Sequence, residues 1–151
     1  DVTFGINELV EVAVRALSPA INDPFTAMTC LDWLGSALSQ ICSRKFPQPE
    51  LHDNQGNLRL IRNPITFTSL ADAAFNQIRE NAGSSTVVTM RLINTIRRVA
   101  QRAQTDEQRL VLWHHASLVQ RSFHSRVRGA TDKENIIKCY EDIREMLGIH
   151  E

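Results

Sequence analysis

Thirteen residues, Arg15 to Ala27 (RALSPAINDPFTA), constrain this chain more than any other stretch. An apolar repeat of helical period runs out at Leu17, Ser18-Pro19 interrupts it, and Asn22-Asp23-Pro24 stands where a second helix begins. Asp23 suits an N-cap because its carboxylate can accept from the amides of Phe25 and Thr26. Pro24 suits the first helical position because the donor it lacks has no intrahelical partner there. Two helices joined by a tight corner are therefore expected.

The first helix is predicted from about Phe4 to Leu17, with Ile6, Leu9, Val10, Ala13, Ala16 and Leu17 facing inward. On its polar edge Glu11 precedes Arg15 by four residues, the favourable order for an ion pair. The second helix is predicted to reach about Arg44, with Met28, Leu31, Leu34, Leu38, Ile41 and Cys42 in one stripe and Pro47 and Pro49 barring extension. Then the pattern changes. Asp53 to Asn57 is turn chemistry, and a short hairpin is predicted from Leu51-His52 and Leu58 to Arg62, packed on the helices because two strands alone are marginal.

Four more helices follow in the pattern. Ser69 is read as the cap of a third that ends near Gly83, with Leu70, Ala74, Phe75 and Ile78 inside. A fourth runs from Thr86 to Ala103 on Val88, Leu92, Ile96, Val99 and Ala103. Thr105 caps a fifth that carries Leu110, Val111, Trp113, Leu118 and Phe123 to about Val127. Thr131 to Glu134 reads as a capping box for the last, whose Ile136, Ile137, Tyr140, Ile143 and Leu147 precede Gly148. The expected fold is mainly α, a bundle-like single domain of about six helices with one small β-hairpin near residues 50–62.

The totals agree with a globular reading. The 151 residues are 42% hydrophobic and 23% charged with no net charge, which excludes disorder and a transmembrane bundle. No apolar run could span a bilayer, and no signal peptide is legible. Because the chain begins at Asp1 without methionine, it is read as a piece excised from something larger. Cys30, Cys42 and Cys139 are an odd number with no CxxC pair, so they are read as small buried residues in a reducing setting rather than a disulfide or zinc framework.

Candidate chemistry is sparse. Arg15, Ser18, Asn22, Asp23 and Thr26 are unlike polar groups close together in sequence. They form either a rigid corner, in which Asp23 caps, Ser18 and Asn22 bond to backbone and Arg15 neutralises Asp23 or Asp32, or a pocket holding an anion on Arg15 and the amides of the second helix. Asp23 would compete with such an anion. Arg91, Arg98 and Arg102 fall within about 40° of one another on a helix. They are either a solvated face or a contact surface for another protomer or for anionic lipid headgroups. Little aromatic interleaving argues against nucleic acid. His114 and His115 are adjacent and point about 100° apart, so they cannot chelate one metal; with His124 they are read as surface or half-buried. No nucleophile elbow, phosphate loop, dinucleotide fingerprint or metal motif is present, so no catalytic residue, metal or cofactor is assigned.

The stretch FGINELVEVAVRALSPAINDPFTAMTCLDWL resembles a bacterial family of predicted membrane proteins known as domain of unknown function 2254, with a thinner likeness through Thr66-Phe67 and AFNQIRE at Ala74 to Glu80. The resemblance implies a parent with N-terminal transmembrane helices and a small β-rich region, of which this chain is the soluble C-terminal part. It also implies a parent in the bacterial inner membrane, and the unpaired cysteines favour the cytoplasmic side for this part. Ala20 stands where the family pattern leads one to expect glycine, which would strain a left-handed backbone at that position. The resemblance supplies no activity. The function expected is a non-catalytic regulatory or assembly module that contacts its own transmembrane region and other protomers. The alternatives are a sensor of a small anion at the Arg15 to Thr26 turn and an orphan hydrolase.

Overall fold

The computed structural model describes residues 1–83, 85–126 and 129–150. It contains α1 (Val2–Ala16), α2 (Pro24–Ile41), β1 (Glu50–His52), β2 (Leu58–Ile61), α3 (Phe67–Asn81), α4 (Thr86–Ala100), α5 (Asp106–His124) and α6 (Ala130–Leu147). The chain is mainly α with one two-stranded antiparallel hairpin. Helices α1, α2 and α3 pack together, as do α4, α5 and α6; α2 on α4 and α3 on α5 join the two groups.

The core is aliphatic with three fully buried phenylalanines, Phe67, Phe75 and Phe123. Central helix α4 buries Val88, Thr89, Leu92, Ile93, Thr95, Ile96, Val99 and Ala100, which leaves its arginines to reach outward along the rims. Its approach to α2 is close. A Cβ built at Gly35 would stand 2.7 Å from Thr95 Cγ2, so with Thr95 on α4 the position has room for glycine but not for a larger residue unless the threonine shifts.

Several expected boundaries shift, each for a local reason. The Asp1 side chain accepts from the Thr3 amide, so α1 starts at Val2 rather than Phe4. The cap of α3 is Thr66, not Ser69: their hydroxyls exchange bonds with each other's backbone amides at 3.1 Å, and the earlier start carries Phe67 into the core. Helix α4 stops at Ala100 instead of Ala103, after which Arg102 and Ala103 make turn bonds. Gly129 rather than Thr131 caps α6, without a side-chain bond, while Gly148 takes the expected left-handed C-cap. Along α5 the buried positions are Gln108, Leu112, His115, Ala116, Val119 and Phe123, whereas Leu110 is 65% exposed. The expected end of α5 at Val127 lies outside the described residues.

The hairpin also differs from expectation. Its strands pair Glu50 with Ile61, Leu51 with Leu60 and His52 with Leu58, across an irregularity between Leu51 and His52. All seven strand residues are exposed, and among the described residues no helix packs on them. Asp53 holds the turn, its Oδ1 accepting from the Gln55 and Asn57 amides at 2.9 Å and its Oδ2 from Arg59 Nε at 2.7 Å. Gly56 supplies the positive φ the turn requires.

Candidate functional site

The corner after α1 is built mostly by its own backbone. Ser18 O accepts from Ile21 N and Asn22 N at 3.1 and 2.8 Å, and Asp23 N donates to Ala16 O at 2.8 Å, which satisfies a carbonyl that the end of α1 leaves free. These are main-chain groups rather than the expected side chains of Ser18 and Asn22. The left-handed residue is Asn22 at φ 47°, not Ala20, and asparagine tolerates that conformation better than alanine does. Asp23 caps α2 as expected. Its carboxylate accepts from both the hydroxyl and the amide of Thr26, and this hydroxyl bond above all holds its pKa below the usual 3.8. The Thr26 amide is thus occupied by the protein itself. Arg15 turns away from the corner to pair with Glu11 at 2.7 Å, so Ser18, Asn22, Asp23 and Thr26 share one turn while Arg15 belongs to the α1 surface.

Asp32 is claimed by other arginines. Arg91 Nη1 reaches Asp32 Oδ1 and Oδ2 at 3.1 and 2.9 Å, and Arg98 Nη2 reaches Oδ1 at 2.9 Å, clamping α4 to α2. Arg97 joins α4 to α6 through Asp142 at 3.2 Å. Each of these half-exposed pairs stabilises by about 0.2–1 kcal/mol. Arg102 lies past the end of α4, exposed, so the expected three-residue stripe is two clamping arginines and one beyond the helix.

Two features stand outside the expected sites. The first is the outer side of α2, where Phe25, Thr29, Trp33, Ser36 and Gln40 fall within about 80° on the helix. This row has no charge, and Phe25 and Trp33 are 75% and 64% exposed. Beside it a groove of about 440 Å³ between α1 and α2 is lined by Val2, Gly5, Ile6 and Leu9 with Trp33, Ser36, Ala37 and Gln40. The signal was available in the sequence, since Phe25 and Trp33 fall outside the stripe assigned to the core.

The second centres on His115, expected at or near the surface but 1% exposed. Its Nε2 lies 2.9 Å from Asp72 Oδ1, and its ring packs edge-to-face with Phe75, the two ring centroids 5.3 Å apart. Burial pushes the imidazole pKa below 6.5 against the opposing pull of Asp72, so at neutral pH the ring is uncharged and Nε2–H donates. Nδ1 is buried with no partner among the described residues. Among these residues no group of three or more His, Cys, Asp or Glu is arranged to hold a metal ion.

Comparison with known proteins places this geometry in context. The model of a family described as predicted membrane protein (DUF2254) matches residues 1–98. Uncharacterized proteins of Mycobacterium bovis and Mycobacterium tuberculosis are 28% identical over 137 residues, 91% of this chain. The chain spans about a quarter of those relatives, 26% of their length. No solved structure matches it. No described helix is long and apolar enough to cross a membrane.

Proposed function

The chain belongs to the DUF2254 family of predicted membrane proteins, and from that premise we propose that it is a non-catalytic assembly module of a bacterial membrane protein, pairing with a second copy of itself through α2. The uncharged row Phe25, Thr29, Trp33, Ser36 and Gln40 carries this reading. A two-fold contact sets each residue against the same surface of its mate, so a charged face would meet its own charge. This row has none, and Trp33 stands at its middle, where the axis of an antiparallel α2–α2 contact would pass. Exposed aromatic residues are the usual anchors of such interfaces. The arginine-bearing rim of α4 lacks this self-complementarity.

Light scattering of the chain across micromolar to millimolar concentrations tests the proposal. A dimer that becomes a monomer in Trp33→Lys, with an unchanged melting temperature because the side chain is largely outside the core, is the expected result. A parent that stays monomeric throughout overturns it, and so does a dimer indifferent to Trp33→Lys. Binding to lipid vesicles by a strictly monomeric chain, lost in the same variant, would assign the row to a membrane surface instead.

A further inference from the structure

A groove of about 730 Å³ runs between α1 and α3 on a different side of α1 from the α2 contact. Val10, Val14 and Ala73 give it apolar surface, and Asn7, Glu11 and Arg15 face Asp72, Asn76 and Gln77 across it. Glu11 and Arg15 neutralise each other at 2.7 Å. Asp72, which lines the groove, has no such partner: its one hydrogen bond among the described residues comes to Oδ1 from His115, leaving Oδ2 unbonded, with the side chain 46% exposed. Nearby Arg79 is turned to Asn76 Oδ1 at 3.1 Å and Glu80 at 3.7 Å. The side-chain carbonyls of Asn7 and Gln77 accept nothing among the described residues.

The bracing of Asp72 from behind is costly. Taking an imidazole out of water carries a desolvation penalty, which the bond to Asp72 offsets only in part. What His115 adds is a fixed orientation: it ties one carboxylate oxygen of a side chain that lines the groove and leaves the other unbonded. We propose that this groove binds a cationic hydrogen-bond donor, an ammonium or guanidinium group, on Asp72, with Glu11 and the carboxamide oxygens of Asn7 and Gln77 around it. The charge balance selects a cation, because Asp72 is the one carboxylate of the groove without a cationic partner. The inference does not depend on self-association through α2.

The side-chain NH2 groups of Asn7, Asn76 and Gln77 report occupancy directly in nitrogen-15 NMR spectra. Titration with spermidine and with N-acetyl-arginine amide is expected to move all three signals saturably at millimolar concentration or below. Asp72→Asn keeps an acceptor for His115 and removes only the charge, so it should retain the melting temperature and weaken binding by about tenfold or more; Glu11→Gln is the second variant should that one fail to fold. Tighter binding of spermidine assigns the site to free amines, and tighter binding of the arginine compound assigns it to basic side chains. No saturable shift with either cation, shifts that survive both substitutions, or a stronger response to inorganic phosphate overturns the proposal.

Discussion

The corner at Ser18 to Asp23 and the hairpin turn at Asp53 to Asn57 use the same chemistry to opposite ends. In each, one aspartate accepts from backbone amides just ahead of it, and hydrogen bonding holds its pKa below 3.8, from Thr26 in the first case and chiefly the Asn57 amide in the second. The corner links two helices whose Ala13, Ala16, Ala27 and Leu31 are in the core, whereas the hairpin exposes Leu51, Leu58, Leu60 and Ile61. Local hydrogen bonds shape both turns equally well. Burial alone makes one of them part of the cooperative unit.

The sharpest test sets core against hairpin. Leu34→Ala, at a fully buried α2 position, should lower unfolding free energy in urea by about 2–5 kcal/mol. Leu60→Ala should change it by less than about 0.5 kcal/mol. A comparable loss at Leu60 would mean that the hairpin is packed in solution, and the contrast would fail. Next in size is Gly35→Ala, whose Cβ meets Thr95 Cγ2 at 2.7 Å and should cost about 1–3 kcal/mol. Adding Thr95→Ser removes the obstructing methyl, and a double-mutant cycle should show part of the loss recovered.

Smaller effects separate the two turns themselves. Asp23→Ala should lower the melting temperature by a few degrees through loss of the α2 cap. Asp53→Ala should leave it unchanged while hydrogen exchange quickens at the Gln55 and Asn57 amides, which lose their acceptor. The smallest is a pH effect. A carboxylate whose pKa falls on folding adds stability that is fully present above about 3.8, its unfolded value, and is lost as pH falls through the lower folded value. Acid melting curves should therefore lose part of their slope in Asp23→Asn; they should keep it in Asp53→Asn, because protonation of Asp53 is linked to local opening of the exposed hairpin rather than to melting of the core.

The sequence revealed most where signals were local. Asp23-Pro24, the Glu11–Arg15 pair, the Thr105 cap and the turn at Gly148 depend on neighbours within four residues, and the structure has each. What was hidden is tertiary. The inward face of α5 differs from expectation because Leu112, His115 and Val119 are as consistent with a helical period as Leu110 and Leu118, and only packing against α3, α4 and α6 decides between them. Gln108 shows the same limit. Its Oε1 accepts from the Gln104 amide at 2.7 Å and, more weakly, from that of Thr105, while its Nε2 crosses to Cys42 O at 3.0 Å, 66 residues away. Asp32 and Asp72 gave no sign of their partners either, since Arg91, Arg98 and His115 are at least 43 residues distant.

The cysteines equip the protein with its own clock. Cys30, in the first half of α2, Cys42, at its end, and Cys139, on α6, are all buried and free. Burial raises each thiol's pKa, that of Cys42 to about 11, so at neutral pH only about one Cys42 in ten thousand is the thiolate that alkylating reagents attack. Native thiols are therefore silent until a helix lifts away. The order in which the three react with a slow reagent would time the separate openings of the α2 and α6 sides of the bundle, with no engineered label.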